Sequence, residues 1–115
     1  MEHIIDLDAL AARLQSVMGE WRRWATVSLL TWRDEAEPWP QTIKEVRSSV
    51  QVPESMGFTL QKHGSDDMFE TVVWTGGWAD VGFLIDGEVY SFSPTFSDAG
   101  GAYGAVVKDV EDFLA

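Results

Sequence analysis

The chain has 115 residues, no cysteine and a formal charge of -11, which excludes disulfides and thiolate chemistry and sets up a field that repels nucleic acid and anionic lipid while attracting cationic partners. Apolar residues make up 45% and aromatics 12%, enough for one hydrophobic core, so residues 1–115 are expected to form a single domain. The charge is uneven: up to Arg47 six basic residues face eight acidic ones, whereas from Ser48 onward only Lys62 and Lys108 oppose eleven carboxylates, leaving about -2 and -9.

The amino terminus has no basic stretch followed by a long apolar run, so no signal peptide is expected. No uncharged apolar stretch approaches the ~18 residues that span a bilayer. Together with the lack of cysteine, which suits a reducing compartment, this makes a cytoplasmic location the expectation.

Asp6 stands at an N-cap position, and Leu7, Leu10, Ala11, Leu14, Val17 and Met18 recur at helical spacing after it. Gly19 offers a stop. From Glu20 to Asp34 the pattern is mixed. Trp21, Trp24, Ala25, Ser28 and Trp32 suit a helix, whereas Val27, Leu29 and the threonines suit a strand; a second helix is the expectation. Pro38-Trp39-Pro40 interrupts regular structure. Pro40 then suits the first turn of a third helix, with Ile43, Val46 and Val50 inward.

Past Pro53 the period becomes alternating, with Phe58 and Leu60 on one side of a strand and Thr59 and Gln61 on the other. His63 to Asp67 reads as a turn, Met68 to Trp74 as a second strand, Thr75-Gly76-Gly77 as a turn and Trp78 to Ile85 as a third strand. Asp86-Gly87 predicts a two-residue type I′ hairpin, because both central residues of that turn need positive φ. The turn fixes a register: Ile85 opposes Glu88, Phe83 opposes Tyr90 and Val81 opposes Phe92 on an aromatic core face. Asp80 meets Ser93 on the other face, among small residues. Pro94 ends the fourth strand, a loop covers Ser97 to Gly101, and Tyr103, Val106, Val107, Val110, Phe113 and Leu114 mark a final amphipathic helix. The expected fold is α+β: a four-stranded antiparallel sheet with N-terminal helices and a C-terminal helix packed on one face.

Catalytic signals are scarce. His3 and His63 fall in a terminus and a polar turn, so both read as solvated surface groups. Gly100-Gly101-Ala102-Tyr103-Gly104 lacks the Lys-Ser/Thr of a phosphate loop and the full dinucleotide fingerprint. No stretch has the alternating oxygen ligands of a calcium loop. Asp66-Asp67 and Asp109, Glu111 and Asp112 read as a solvated turn and helix face. No catalytic, cofactor or metal residues are therefore assigned, and the chain is not expected to be an enzyme.

Six tryptophans are the other unusual feature. Trp21, Trp24 and Trp74 are expected to fill the core. Trp39, held between prolines, and Trp78, beside a Gly-Gly turn, are harder to bury and suit a binding surface, where tryptophan is enriched.

The block Val50-Gln51-Val52-Pro53-Glu54-Ser55-Met56-Gly57-Phe58-Thr59-Leu60, followed by Glu70-Thr71-Val72-Val73-Trp74-Thr75-Gly76-Gly77-Trp78-Ala79-Asp80-Val81, resembles immunity proteins of bacterial polymorphic toxin systems, in particular the tryptophan-bearing TriTu group. In that group a strand ending in Trp leads through a Gly turn to an Asp, positions matched here by Trp74, Gly76 or Gly77, and Asp80. The likeness covers about the middle third of the chain; the Trp21 to Trp39 region departs from it.

The resemblance implies a small cytoplasmic α+β protein that neutralises a toxin delivered by contact-dependent or type VI secretion, often a nuclease. The charge points the same way, since a nuclease carries a basic groove that an acidic surface can occupy. The expected contact residues are Glu70, Trp78, Asp80, Asp86, Glu88 and Trp39, with Trp78 as anchor. The expected partner is a cationic protein, not nucleic acid or membrane, and the chain is expected to be a monomer or weak dimer. An acidic nucleic-acid mimic and a small-ligand-binding or hydrolytic module are the competing readings.

Overall fold

A computed structural model describes residues Met1–Ala115. Helix α1 runs from Leu7 to Trp21, and the Asp6 carboxylate accepts from the Ala9 amide at 3.0 Å as its N-cap. Leu7, Leu10, Ala11, Leu14 and Met18 form the buried stripe. The helix passes through Gly19 and ends two residues later, which carries Trp21 into the core, stacked on Phe58 with centroids 5.9 Å apart.

The segment after α1 is not a second helix. It forms two short strands, β1 (Ala25–Val27) and β2 (Thr31–Asp34), both paired antiparallel with the same edge of the ten-residue strand β3 (Pro53–Lys62). β1 takes the end of β3, with Ala25 opposite Lys62, and β2 takes its start, with Thr31 opposite Gly57. Between them the Ser28 hydroxyl accepts from the Thr59 amide at 2.9 Å. The tryptophan spacing fits a helix, but ladder bonds to β3 satisfy backbone groups that an isolated helix here would leave half solvated. The expected four strands thus become six, and a single N-terminal helix replaces the expected set.

The third expected helix is also absent. Residues 35–52 form a loop with one short 3-10 turn, Arg47–Ser49. Ile43 and Val46 are exposed, and only Val50 points inward. The buried Asp34 carboxylate organises this loop: Oδ1 accepts from the Ala36 and Val52 amides at 3.0 and 3.1 Å, and Oδ2 from Gln51 at 2.8 Å. These bonds hold its carboxyl below the ordinary value of 3.8, the Gln51 amide contributing most. Midway, Lys44 and Trp32 exchange two backbone bonds of 2.8 Å.

Strands β4 (Met68–Trp74), β5 (Trp78–Ile85) and β6 (Glu88–Phe92) complete an antiparallel meander, so the order is β1/β2, β3, β4, β5, β6. Asp86 and Gly87 adopt φ of 52° and 81°, and Ile85 pairs with Glu88, Phe83 with Tyr90 and Val81 with Phe92, as the Asp-Gly turn predicts. Helix α2 (Ala99–Leu114) begins earlier than expected: Asp98 caps it by accepting from Gly101 at 2.8 Å, so the glycine pair lies in its first turn and not in a loop.

Both helices pack on one face of the sheet, over 22 buried apolar residues. Phe69 is the centre of that face, its ring 6.0 Å from Phe58, 5.2 Å from Phe83 and 6.0 Å from Phe113. The aromatic face does not stay buried to its end. Tyr90 and Phe92 lie outside the helices' cover and are about half exposed. Neither helix is long and apolar enough to cross a membrane.

Candidate protein-binding surface

The opposite face of the sheet carries no helix, and strand alternation decides what it displays. Register aligns Arg33, Ser55, Trp74 and Trp78 in one row across β2 to β5, then Thr31, Gly57, Val72 and Asp80, then Thr59, Glu70, Gly82 and Ser91. Because Trp74 pairs directly with Trp78 across the Gly76-Gly77 turn, both indoles must share this outer face.

Those indoles and Trp39 form a stack. Trp78 and Trp74 have centroids 5.8 Å apart at 15°, and Trp74 and Trp39 are 6.1 Å apart at 30°. Trp78 is the partly buried base, held close over Gly76, where a Cβ would lie 2.5 Å from its ring. Trp39 is the outermost ring, 64% exposed. The Arg33 guanidinium lies 5.1 Å from the Trp74 ring centroid, within cation–π range.

Asp80 sits beside this stack. Its Oδ2 accepts from the Trp74 indole N–H at 3.0 Å, and its Oδ1 from the Ser93 hydroxyl at 3.2 Å. The side chain is exposed, yet both oxygens are oriented. Glu70 is exposed on the same face and makes no ion pair or hydrogen bond. Between Glu70 and Arg33 lies a hollow of about 220 Å³ with Thr31, Ile43, Thr59 and Val72 along its walls. On the same face Gly57 is tightly packed, since a Cβ there would meet the Thr71 carbonyl at 2.8 Å.

No family model, curated protein or solved structure gives a significant match to this chain. Its functional reading therefore rests on its own residues.

Of the residues singled out from sequence, Glu70, Trp78, Asp80 and Trp39 come together on the outer face. Asp86 and Glu88 do not join them. Asp86 is in the β5–β6 turn, where its amide donates to Asp67 Oδ1 at 3.0 Å, and Glu88 opposes Ile85 on the helix side. Glu88 accepts from the Tyr90 hydroxyl at 2.6 Å, and this bond raises the phenol above its ordinary 10.0. Trp74 is not a core residue as expected, but the middle ring of the outer stack; its pairing with Trp78 across the three-residue Thr75-Gly76-Gly77 turn was the available signal. Trp24 is likewise 55% exposed, because the chain leaves α1 there for the sheet edge; the Arg23 guanidinium lies 5.6 Å from its ring. Arg33 joins the site only through β2, which sequence periodicity does not reveal.

His3 bonds Glu35 through Nε2 at 2.5 Å, and His63 lies beyond the opposite end of β3. The ten-residue strand β3 lies between them, so the two imidazoles do not form one site. No three His, Asp or Glu side chains converge as metal ligands would.

Proposed function

We propose that this chain is an immunity protein that binds and neutralises a cognate cationic toxin, with a nuclease domain as the preferred partner. The observation that carries the reading is the helix-free sheet face, on which a Trp39–Trp74–Trp78 stack lies beside the oriented Asp80 carboxylate and the unpaired Glu70. Large aromatics offer contact area at low entropic cost, and charges at their margin guide a basic partner into register. Inhibition is stoichiometric and cytoplasmic and needs no chemistry on this chain. Trp39 and Trp74 serve as the anchor, and Trp78 is their support.

A nucleic-acid mimic is less well supported, because Arg33, Val72 and Leu84 interrupt the carboxylates on this face, whereas phosphate mimicry asks for an unbroken acidic track. The test is to purify the chain with the product of the adjacent gene at low salt. A one-to-one complex that Trp39→Ala and Asp80→Lys weaken is expected; absence of any complex would end the proposal.

A further inference from the structure

The second notable surface is the free edge of the sheet. All five residues of β6 are exposed, including Val89 at 76%, and the strand contains no lysine, proline or bulge of the kind that blunts edges. Residues flanking a two-residue hairpin loop form a hydrogen-bonded pair, so Glu88, Tyr90 and Phe92 bond to β5. The amides and carbonyls of Val89 and Ser91 therefore point away from the sheet.

Each side of this edge has an apolar hollow rimmed by a carboxylate. On the helix side, Phe83, Ile85, Tyr90 and Phe113 border a shallow, open depression of about 270 Å³ beside Asp112. On the outer side, Met68, Leu84 and Val89 enclose about 250 Å³ over Gly82, beside Glu70. Between Lys62 and Lys108, a stretch that includes all of β4, β5 and β6, the chain contains no lysine or arginine. Lys108 itself is paired to Asp112 at 2.9 Å.

We infer that β6 receives an extended cationic polypeptide segment as an additional antiparallel or parallel strand. Main-chain bonds form to Val89 and Ser91, and alternate side chains fall on the two faces. A long basic side chain fits the outer hollow, with its aliphatic stem on the apolar floor and its charged head at the unpaired Glu70, while the helix-side hollow, whose Asp112 is already paired to Lys108, takes the alternate apolar side chains. A second copy of this chain is disfavoured, since each carries -11 and would set acid against acid. The same repulsion keeps an otherwise unprotected edge from pairing with itself. The inference deepens the partner-binding reading but does not need the partner to be a toxin.

The test uses the full-length, ¹⁵N-labelled protein and an acetylated, amidated octapeptide of alternating arginine and valine. Binding should shift the Val89 and Ser91 amide resonances and slow their exchange. Ser91→Pro removes an outward donor without breaking a β5 bond, and a peptide N-methylated at alternate residues removes the opposing donors. Each should weaken binding by about tenfold, the glutamate–valine peptide should not bind, and Val46→Ala, an exposed position in the loop between β2 and β3, should leave peptide affinity unchanged. Absence of binding overturns the inference. So does binding that neither Ser91→Pro nor N-methylation weakens, which would mean charge attraction without strand addition. If Ser91→Pro does not fold, the N-methylated peptide decides alone. An adjacent-gene product that fails to bind would defeat the immunity reading while leaving this result standing.

Discussion

The indole N–H of Trp74 donates to Asp80 Oδ2 at 3.0 Å across two neighbouring strands, on the face of the sheet that neither helix covers. One bond thus fixes both the middle ring of an aromatic stack and the direction of a carboxylate. Surface acids are usually mobile, and holding this one in advance reduces the ordering cost of pairing with a cation.

Asp80→Asn tests the charge separately from the geometry. Asparagine can still accept from Trp74, so thermal stability should stay within about 0.5 kcal/mol of wild type. Association with a cationic partner should slow by about tenfold at low salt and converge with wild type as salt rises. Stopped-flow tryptophan fluorescence measures the rate.

Asp34 predicts an acid-sensitive loop. Its folded pKa lies below the ordinary 3.8 because it accepts amide hydrogen bonds. The ionised form therefore stabilises the fold fully above that value, and the contribution is lost as pH falls through 3.8 towards the lower folded pKa. Asp34→Asn sets a carboxamide NH2, a donor, against a backbone N–H that needs an acceptor, so the variant should melt several degrees lower at neutral pH. Its stability should then fall less steeply than wild type below about pH 4. Thermal melts across the acid range check both features.

Phe69→Ala removes the ring at the centre of the helix-covered face. The cavity and lost transfer energy should cost about 3–5 kcal/mol by urea denaturation. A smaller loss would mean that Phe58, Phe83 and Phe113 collapse into the space.

Gly57 and Gly82 form a matched pair on the outer face. Alanine at position 57 would bring a Cβ to 2.8 Å from the Thr71 carbonyl, whereas at position 82 nothing lies within 4 Å. Gly57→Ala should lose about 1–3 kcal/mol through strand displacement, and Gly82→Ala should change stability by no more than about 0.5 kcal/mol. Equilibrium unfolding of the two variants provides the comparison.

Local chemistry decided part of this architecture. Asp6 and the apolar stripe after it specify α1 because both signals lie within a few turns of one another. Asp86-Gly87 specifies the β5–β6 register because the turn needs only its own two dihedrals. The strong negative charge is likewise a property of composition. Tertiary structure alone decided that Ala25–Val27 and Thr31–Asp34 are strands, since their backbone partners lie in β3, roughly twenty to forty residues away, and no local periodicity encodes that distance. It also decided that Trp74 faces outward: alternation puts it opposite the core residue Val73, but which side is covered depends on where α1 and α2 dock. The outer surface follows from that docking, because a sheet side becomes a core or a contact surface only through what lies over it.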